Sequence, residues 1–195
     1  MQLPAQKSPI KDLVYATSNL QKLSQARAVC EPLGINLQQI KLDISEIQAE
    51  DGEPIARDKA ANAFALLQKP VVVSDDNWLI PGLNNFPGPY MKSMNAWFSP
   101  QRWLALTNGL TDRTIILRQI VMYQDAPRQQ MFSVDIPGIL LHEIRGLSPC
   151  AHCTITSLDG GKTSMAEYHQ LGESAPTLHH SAWQDFATWY TEEAA

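Results

Sequence analysis

Lys22, Lys59, Lys92, Glu46 and the pair Asp75-Asp76 are the residues here that could do chemistry together, helped by one strand-to-helix junction. In LVYATSNLQK, residues 13–22, the β-prone Leu13-Val14-Tyr15 runs into Thr17, Ser18 and Asn19, and helical spacing begins at Leu20. The first N–H groups of a helix lack partners within it, and the dipole makes that end positive. A phosphate there meets backbone donors, two hydroxyls, the Asn19 amide and the Lys22 ammonium. The same residues also read as a plain helix cap, and without glycines they do not form a Walker loop. Carboxylates hold Mg²⁺ together with substrate phosphates, lysines neutralise the phosphates, and a carboxylate beside the metal deprotonates water. These are the parts of a metal-assisted phosphoanhydride hydrolase. Taken singly, Glu46 reads as a solvated loop acid and Lys92 as a surface lysine. Asp75 and Asp76 are less neutral, because adjacent acids at a strand end repel unless a cation joins them.

The elements that must position these groups alternate. After the first strand, Leu20, Leu23, Ala26, Cys30 and Leu33 give a helix one apolar side, closed by Gly34. INLQQIKL, 35–42, is a second strand ending at the acidic DISEIQAEDGE that carries Glu46. Pro54 suits the first position of a helix running to Gln68, with Lys59 on it and Lys69-Pro70 as its stop. VVVS, 71–74, reads as a buried strand with Asp75-Asp76 at its end, and the Pro-, Gly- and Asn-rich 75–90 as a loop. Ser99-Pro100 opens a short helix that Asn108-Gly109 ends. TIILRQIVMY, 114–123, and QQMFSVDIPGILL, 129–141, form a long antiparallel hairpin through the DAPR turn. Near the C-terminus, Trp183, Phe186, Ala187 and Tyr190 share a helical face suited to core or dimer contact. The order predicts an α/β fold, a mixed central β-sheet flanked by helices, as one domain over 1–195. In such sheets ligands collect beyond the carboxyl ends of strands, where Thr17–Lys22, Glu46 and Asp75-Asp76 all fall.

A net charge of −5 argues against non-specific nucleic-acid binding, and 44% hydrophobic with 18% charged residues is ordinary for a globular protein. No apolar run approaches a membrane span and the N-terminus lacks a signal-type core, so a cytoplasmic location is the expectation. Three cysteines do not look like a disulfide framework. Cys150-Ala-His-Cys153, with His152 inside it, suits Zn²⁺ or thiol redox chemistry, but two small half-buried residues lining a pocket are the favoured reading.

Several separated segments together resemble the inosine triphosphate pyrophosphatases, which remove deaminated purine nucleotides. ATSNLQK matches the family's Thr-x-Asn-x-x-Lys opening, and LDISEIQ, the lysine of ARDKAANAF and VVVSDDNWLIPGLNNFPGPYMK continue it. DIPGILLHEIRG and SMAEY extend the likeness to about residue 168. The resemblance implies a pyrophosphohydrolase that releases monophosphate and pyrophosphate from deaminated or otherwise aberrant nucleoside triphosphates, with Mg²⁺, as a homodimer. It implies phosphate contacts from Thr17, Asn19 and Lys22, metal binding by Glu46, water activation or metal binding by Asp75, and charge neutralisation by Lys59 and Lys92. The chain departs from the family at Gln25 and Ser74, where members carry acids. It also departs at CAHCT, 150–154, in place of an aromatic, glycine-rich FGxDP-type segment. His152, and His179-His180 in place of a Ser-His-Arg, are the remaining base-pocket candidates, so a different nucleobase, loose specificity or weak activity follows more naturally than specificity for inosine triphosphate. A non-catalytic nucleotide-binding module of the same fold is the alternative, and the retained Glu46 and Asp75 favour the enzyme.

Overall fold

The computed structural model describes residues 11–173 and 180–192. Strand β1 (Lys11–Ala16) sends its apolar stretch to the middle of a sheet, pairing in parallel with β2 (Ile35–Ile40) and β3 (Val71–Ile80). Between them runs α1 (Leu20–Cys30), whose cap is Asn19: its side-chain oxygen accepts from the N–H groups of Gln21 and Lys22. Leu23, Ala26 and Cys30 are buried as the period demands, whereas Leu20 and Leu33 are 67% and 44% exposed. Leu20 stands in the first turn before the helix meets the sheet. Leu33 lies in a 3₁₀ turn (Glu31–Leu33), where the tighter winding breaks the α-helical stripe.

The second helix, α2 (Gly52–Leu67), begins two residues earlier than Pro54 suggests, because Asp51 caps it by accepting from the Glu53 N–H. Proline is tolerated throughout the first turn, where no N–H is needed inside the helix. The larger correction concerns 75–90. β3 does not stop at Ser74 but continues to Ile80, because β5 (Thr114–Gln124) pairs antiparallel with it from Val71 to Leu79. After a 3₁₀ turn (Pro81–Leu83), β4 (Phe86–Gly88) folds back on Trp78–Ile80. Helix α3 (Met91–Trp97), which the sequence pattern did not predict, then carries Lys92. Helix α4 (Pro100–Thr107) starts as expected at a Ser99 cap.

β5 and β6 (Gln129–Leu140) form the expected hairpin, its turn held by Asp125, which accepts from the Arg128 N–H and guanidinium. A short β7 (Thr156–Ser157) pairs with the end of β6. Helix α5 (Met165–Gln170) opens on a Ser164–Glu167 capping box. Helix α6 (Ala182–Glu192) ends the described chain. The seven-stranded mixed sheet has the order β2-β1-β3-β5-β6-β7, with β4 also on β3.

Alternation along β3 and β5 divides the core. On one face α1 and α6 cover Tyr15, Val72, Val121 and Tyr123 at one end of the sheet. The same face at the other end packs Trp78, Ile80, Leu117 and Ile136 against α3, α4 and the turn at 151–154. Between these two clusters, on the same face, β3 presents Ser74 and Asp76 rather than apolar residues. On the opposite face α2 covers Val71, Val73, Ile120 and Met122 with Ala56, Ala60 and Ala63.

Candidate active site

The polar residues of β3 lie where the sheet has a gap. β1 pairs with β3 only at Val71 and Val72 and ends at Ala16, while β4 begins its pairing at Trp78. Among the described residues no strand covers this edge of β3 between 72 and 78. The chain leaving β1 turns into α1 through Thr17–Asn19 at that opening. The edge lets side chains from both faces of the sheet meet around it.

From one face, Lys22 of α1 forms an ion pair with Asp76 at 3.0 Å. Burial works against the charge of Lys22. Asp76, Tyr15 and Asp75 outweigh it and hold the ammonium more firmly protonated than an ordinary lysine. Beneath the pair, the buried Tyr15 hydroxyl and the Ser74 hydroxyl share a 2.5 Å hydrogen bond. Ser74 therefore anchors β3 to β1.

From the other face come Asp75, Lys59 and Glu46. Lys59 of α2 donates to Glu46 at 2.7 Å, and this contact, with Lys92 and Lys22 further off, holds the Glu46 carboxyl below its ordinary range. Asp75 differs from both other acids. Asn77 donates weakly to it at 3.3 Å, and among the described residues no lysine or arginine pairs with it directly. Burial pushes its pKa up, Lys22 and Lys59 pull it down, and Asp76 and Glu46 push it up again. The raised value means a carboxylate more basic than usual, short of positive charge.

Glu46 thus feels Lys59, Lys92 and Lys22, and Asp75 feels Lys22, Lys59, Asp76 and Glu46, so α1, α2, α3, β3 and the loop carrying Glu46 all contribute charge here. Glu46 and Asp75 offer an all-oxygen pair of carboxylates on the α2 face, while Asp76 is turned to the α1 face and paired with Lys22. Such a pair of carboxylates fits a hard divalent cation, and the repulsion that raises Asp75 is what a cation there would relieve. Thr17 and Asn19 border the cluster in a capping role: the Asn19 N–H donates to the Thr17 hydroxyl, and the Asn19 side chain caps α1. Lys92 is exposed.

The base-pocket candidates are not brought together. His152 is buried, 4% exposed, with its ring edge-on to Trp78 at 4.8 Å and its Nδ1 beside the Asn95 amide. Burial, and His169 nearby, depress its pKa to about 3, so the ring is neutral. His180 is exposed and pairs with Asp185 in the first turn of α6. His179 lies outside the described residues. Cys150 and Cys153, expected as separate small residues lining a pocket, are joined as a disulfide. The 3₁₀ turn over Ala151–Thr154 brings their α-carbons to 5.4 Å, close enough to bond.

Three contributors escaped the sequence reading: Tyr15, Asn77 and Arg118. Asn77 is buried, packs against Gly52 at the start of α2, and among the described residues its Oδ1 has no hydrogen-bond partner. It lines a pocket of about 480 Å³ on the α2 face, with Leu79, Phe86, Tyr90, Asp51 and Arg118. Arg118 is held there by a two-pronged pair with Asp135 on β6. Reading VVVSDDNWLI as one strand of period two would have placed Asp75 and Asn77 side by side.

Comparison with known proteins bears on this geometry. A model of the Ham1 family matches residues 13–179. The chain is 29% identical over 185 residues to a dITP/XTP pyrophosphatase of Methanopyrus kandleri, covering 94% of this chain and 98% of the relative. It is 26% identical over 183 residues to a dITP/XTP pyrophosphatase of Methanosarcina acetivorans, covering 93% and 98%. The fold is similar to that of a HAM1 protein from Coxiella burnetii, with a TM-score of 0.70 at 19% identity over 94% of this chain and 100% of the other.

Proposed function

The chain belongs to the Ham1 family, and from that premise we propose that it is a nucleoside triphosphate pyrophosphohydrolase. In this reading it releases monophosphate and pyrophosphate from deaminated or otherwise aberrant nucleoside triphosphates. The observation that carries the reading is the convergence of three lysines and three carboxylates on the uncovered edge of β3. A triphosphate brings several negative charges, and this cluster supplies ammonium groups for them beside one carboxylate free to act as a base. The names of the relatives, dITP/XTP pyrophosphatases, point to the same reaction.

The roles follow from the environments. Asp75, half-buried and in no direct ion pair among the described residues, takes the proton of the water that attacks phosphorus. Lys22, Lys59 and Lys92 neutralise the triphosphate, with the charge that grows on departing pyrophosphate as their main target. Thr17, Asn19 and the start of α1 hold phosphate oxygens. Glu46 and Asp75 would hold Mg²⁺, which when bound supplies Lewis-acid charge to the phosphates. We further propose one domain over 1–195 acting as a cytoplasmic homodimer. Since His152 is buried and His180 is engaged with Asp185, base recognition rests on other groups.

The test is pyrophosphate release with Mg²⁺ across inosine, xanthosine, the standard ribo- and deoxyribonucleotides and modified pyrimidine triphosphates, with Asp75→Asn as control. Release from one base class, lost in the control, supports the enzyme and names its substrate. Silence across the panel with nucleotide still bound by calorimetry replaces it with a non-catalytic nucleotide-binding module.

A further inference from the structure

The turn at 150–154 holds a second constellation that the proposed hydrolysis does not use. Cys150, His152 and Cys153 lie within one 3₁₀ turn, and one ligand atom from each falls within 4.8 Å of the others. His152 Nδ1 is 3.1 Å from the Cys150 sulfur. Asn95 of α3 spans both, with its amide nitrogen 2.9 Å from His152 Nδ1 and 3.8 Å from the Cys150 sulfur. A further imidazole stands one hydroxyl away: His169 shares the Ser148 oxygen with the Cys150 N–H, at 3.3 Å and 3.1 Å.

A disulfide here adds little to the fold. It closes a loop with a sequence separation of only three, where the loss of unfolded-chain entropy is smallest. The turn is already fixed by Cys153 N–H to Cys150 O, Ile155 N–H to His152 O, and the Thr154 hydroxyl to Ala151 O. What the turn offers beyond shape is a ligand set of two sulfurs and one imidazole. Thiolates and imidazole select soft or borderline cations, with Zn²⁺ the prime case, whereas the carboxylates around β3 suit hard ones. The two donor sets therefore take different metals from a mixture.

We propose that Cys150, His152 and Cys153 form a Zn²⁺ site that opens when the cysteines are reduced and closes when they are joined. A low-molecular-weight monothiol supplies the electrons: two RSH reduce the Cys150–Cys153 bond to two thiols and leave as RSSR. The two thiols then bind Zn²⁺ and release two protons, with neutral His152 as the third ligand and water or His169 as the fourth. Cys150 is half-exposed and gives the entry point, while His152 and Cys153 are buried behind it. The site touches α3 through Asn95, one turn beyond Lys92 on the same helix.

The full-length chain is prepared in two forms, reduced with excess monothiol and oxidised, each freed of small molecules under inert gas and offered Zn²⁺ in the presence of excess Mg²⁺. Elemental analysis is expected to give one Zn²⁺ per reduced chain and none per oxidised chain. Co²⁺ in place of Zn²⁺ is expected to give a sulfur-to-metal charge-transfer band that Cys153→Ser loses. The oxidised wild-type chain, identical in sequence, serves as the control should the serine variant fold poorly. Equal zinc in the two forms, no zinc in the reduced form, or a cobalt complex lacking the sulfur band would each overturn the proposal.

Discussion

Asp75 and Asp76 are neighbours in sequence with opposite circumstances. Asp76 points to the α1 face and is neutralised by Lys22, while Asp75 points to the α2 face with only an amide beside it. Two outcomes separate a base from a bystander. Asp75→Asn should lower pyrophosphate release at least a thousandfold while nucleotide binding by calorimetry stays within about tenfold, since the removed group acts on a proton rather than on the phosphates. In the metal-free protein the Asp75 carboxyl should titrate above the ordinary carboxylate range by NMR, because burial raises its pKa, and Mg²⁺ should draw it down. A carboxyl that titrates in the usual range without metal would mean that its surroundings do not tune it as a base. At this scale the sequence was informative about charge and not about pairing. Lys22 and Asp76 are 54 positions apart, and nothing local announces their 3.0 Å contact.

Elements decide where these residues can point. The run DDNW looks like a loop by composition, being polar and followed by Pro and Gly, yet it is the middle of β3 because β5 offers it a register of nine paired residues. Tertiary pairing overrode local preference, a common outcome for strands. The start of α2 shows the same dependence. A Cβ on Gly52 would come within 2.0 Å of the Asn77 side-chain nitrogen and 2.5 Å of its Cγ, and Asn77 is too buried to swing aside. Gly52→Ala should therefore cost about 1–3 kcal/mol in denaturant melts, the range for overpacking. It should slow turnover too, since Asn77 is the donor to Asp75. Farther off, Asp159 ties the 157–163 loop by accepting from the Ser157 and Tyr168 hydroxyls and the N–H groups of Lys162 and Thr163. Despite the burial that opposes it, these donors hold its pKa down to about 2. Between that value and the ordinary carboxylate pKa, the unfolded chain binds the proton and the folded chain does not. The stabilisation is thus complete above the ordinary value and drains away as pH falls towards 2. Asp159→Ala should cost about 2 kcal/mol at neutral pH, the size of a charge-assisted hydrogen bond, and flatten that acid dependence in urea titrations.

Across the whole molecule the α/β order, the long hairpin and the apolar face of α6 were legible, because helical and strand periods report burial directly. The family match bears out the resemblance carried by separated motifs from Thr17 to Lys92. The helix α3, the extension of β3 and the joined cysteines were not legible. The first two depend on partners remote in sequence, since Met91 and Met94 pack into the cluster around Trp78 and Trp103 and β5 pairs along β3, while the third depends on a local 3₁₀ turn that Cys-x-x-Cys spacing does not announce. Trp183, Phe186, Ala187 and Tyr190 are core, closing the sheet over Tyr15 and Tyr123. Phe186 is fully buried among Tyr123, Phe132, Trp183 and Tyr190. Phe186→Ala should cost about 3–5 kcal/mol and shift the thermal midpoint accordingly.

The uncovered edge of β3 has a consequence for proton traffic at the backbone. Along a strand, successive amides point to alternate sides, so from Ser74 to Asn77 every second N–H faces β5 and the others face the opening. The first kind should exchange with deuterated solvent only when the sheet comes apart. The second kind should exchange orders of magnitude sooner, although their neighbours on either side are among the slowest in the chain. A fast pair of amides inside a slow strand would mark the mouth of the site in the free protein, and a bound triphosphate should slow that pair first.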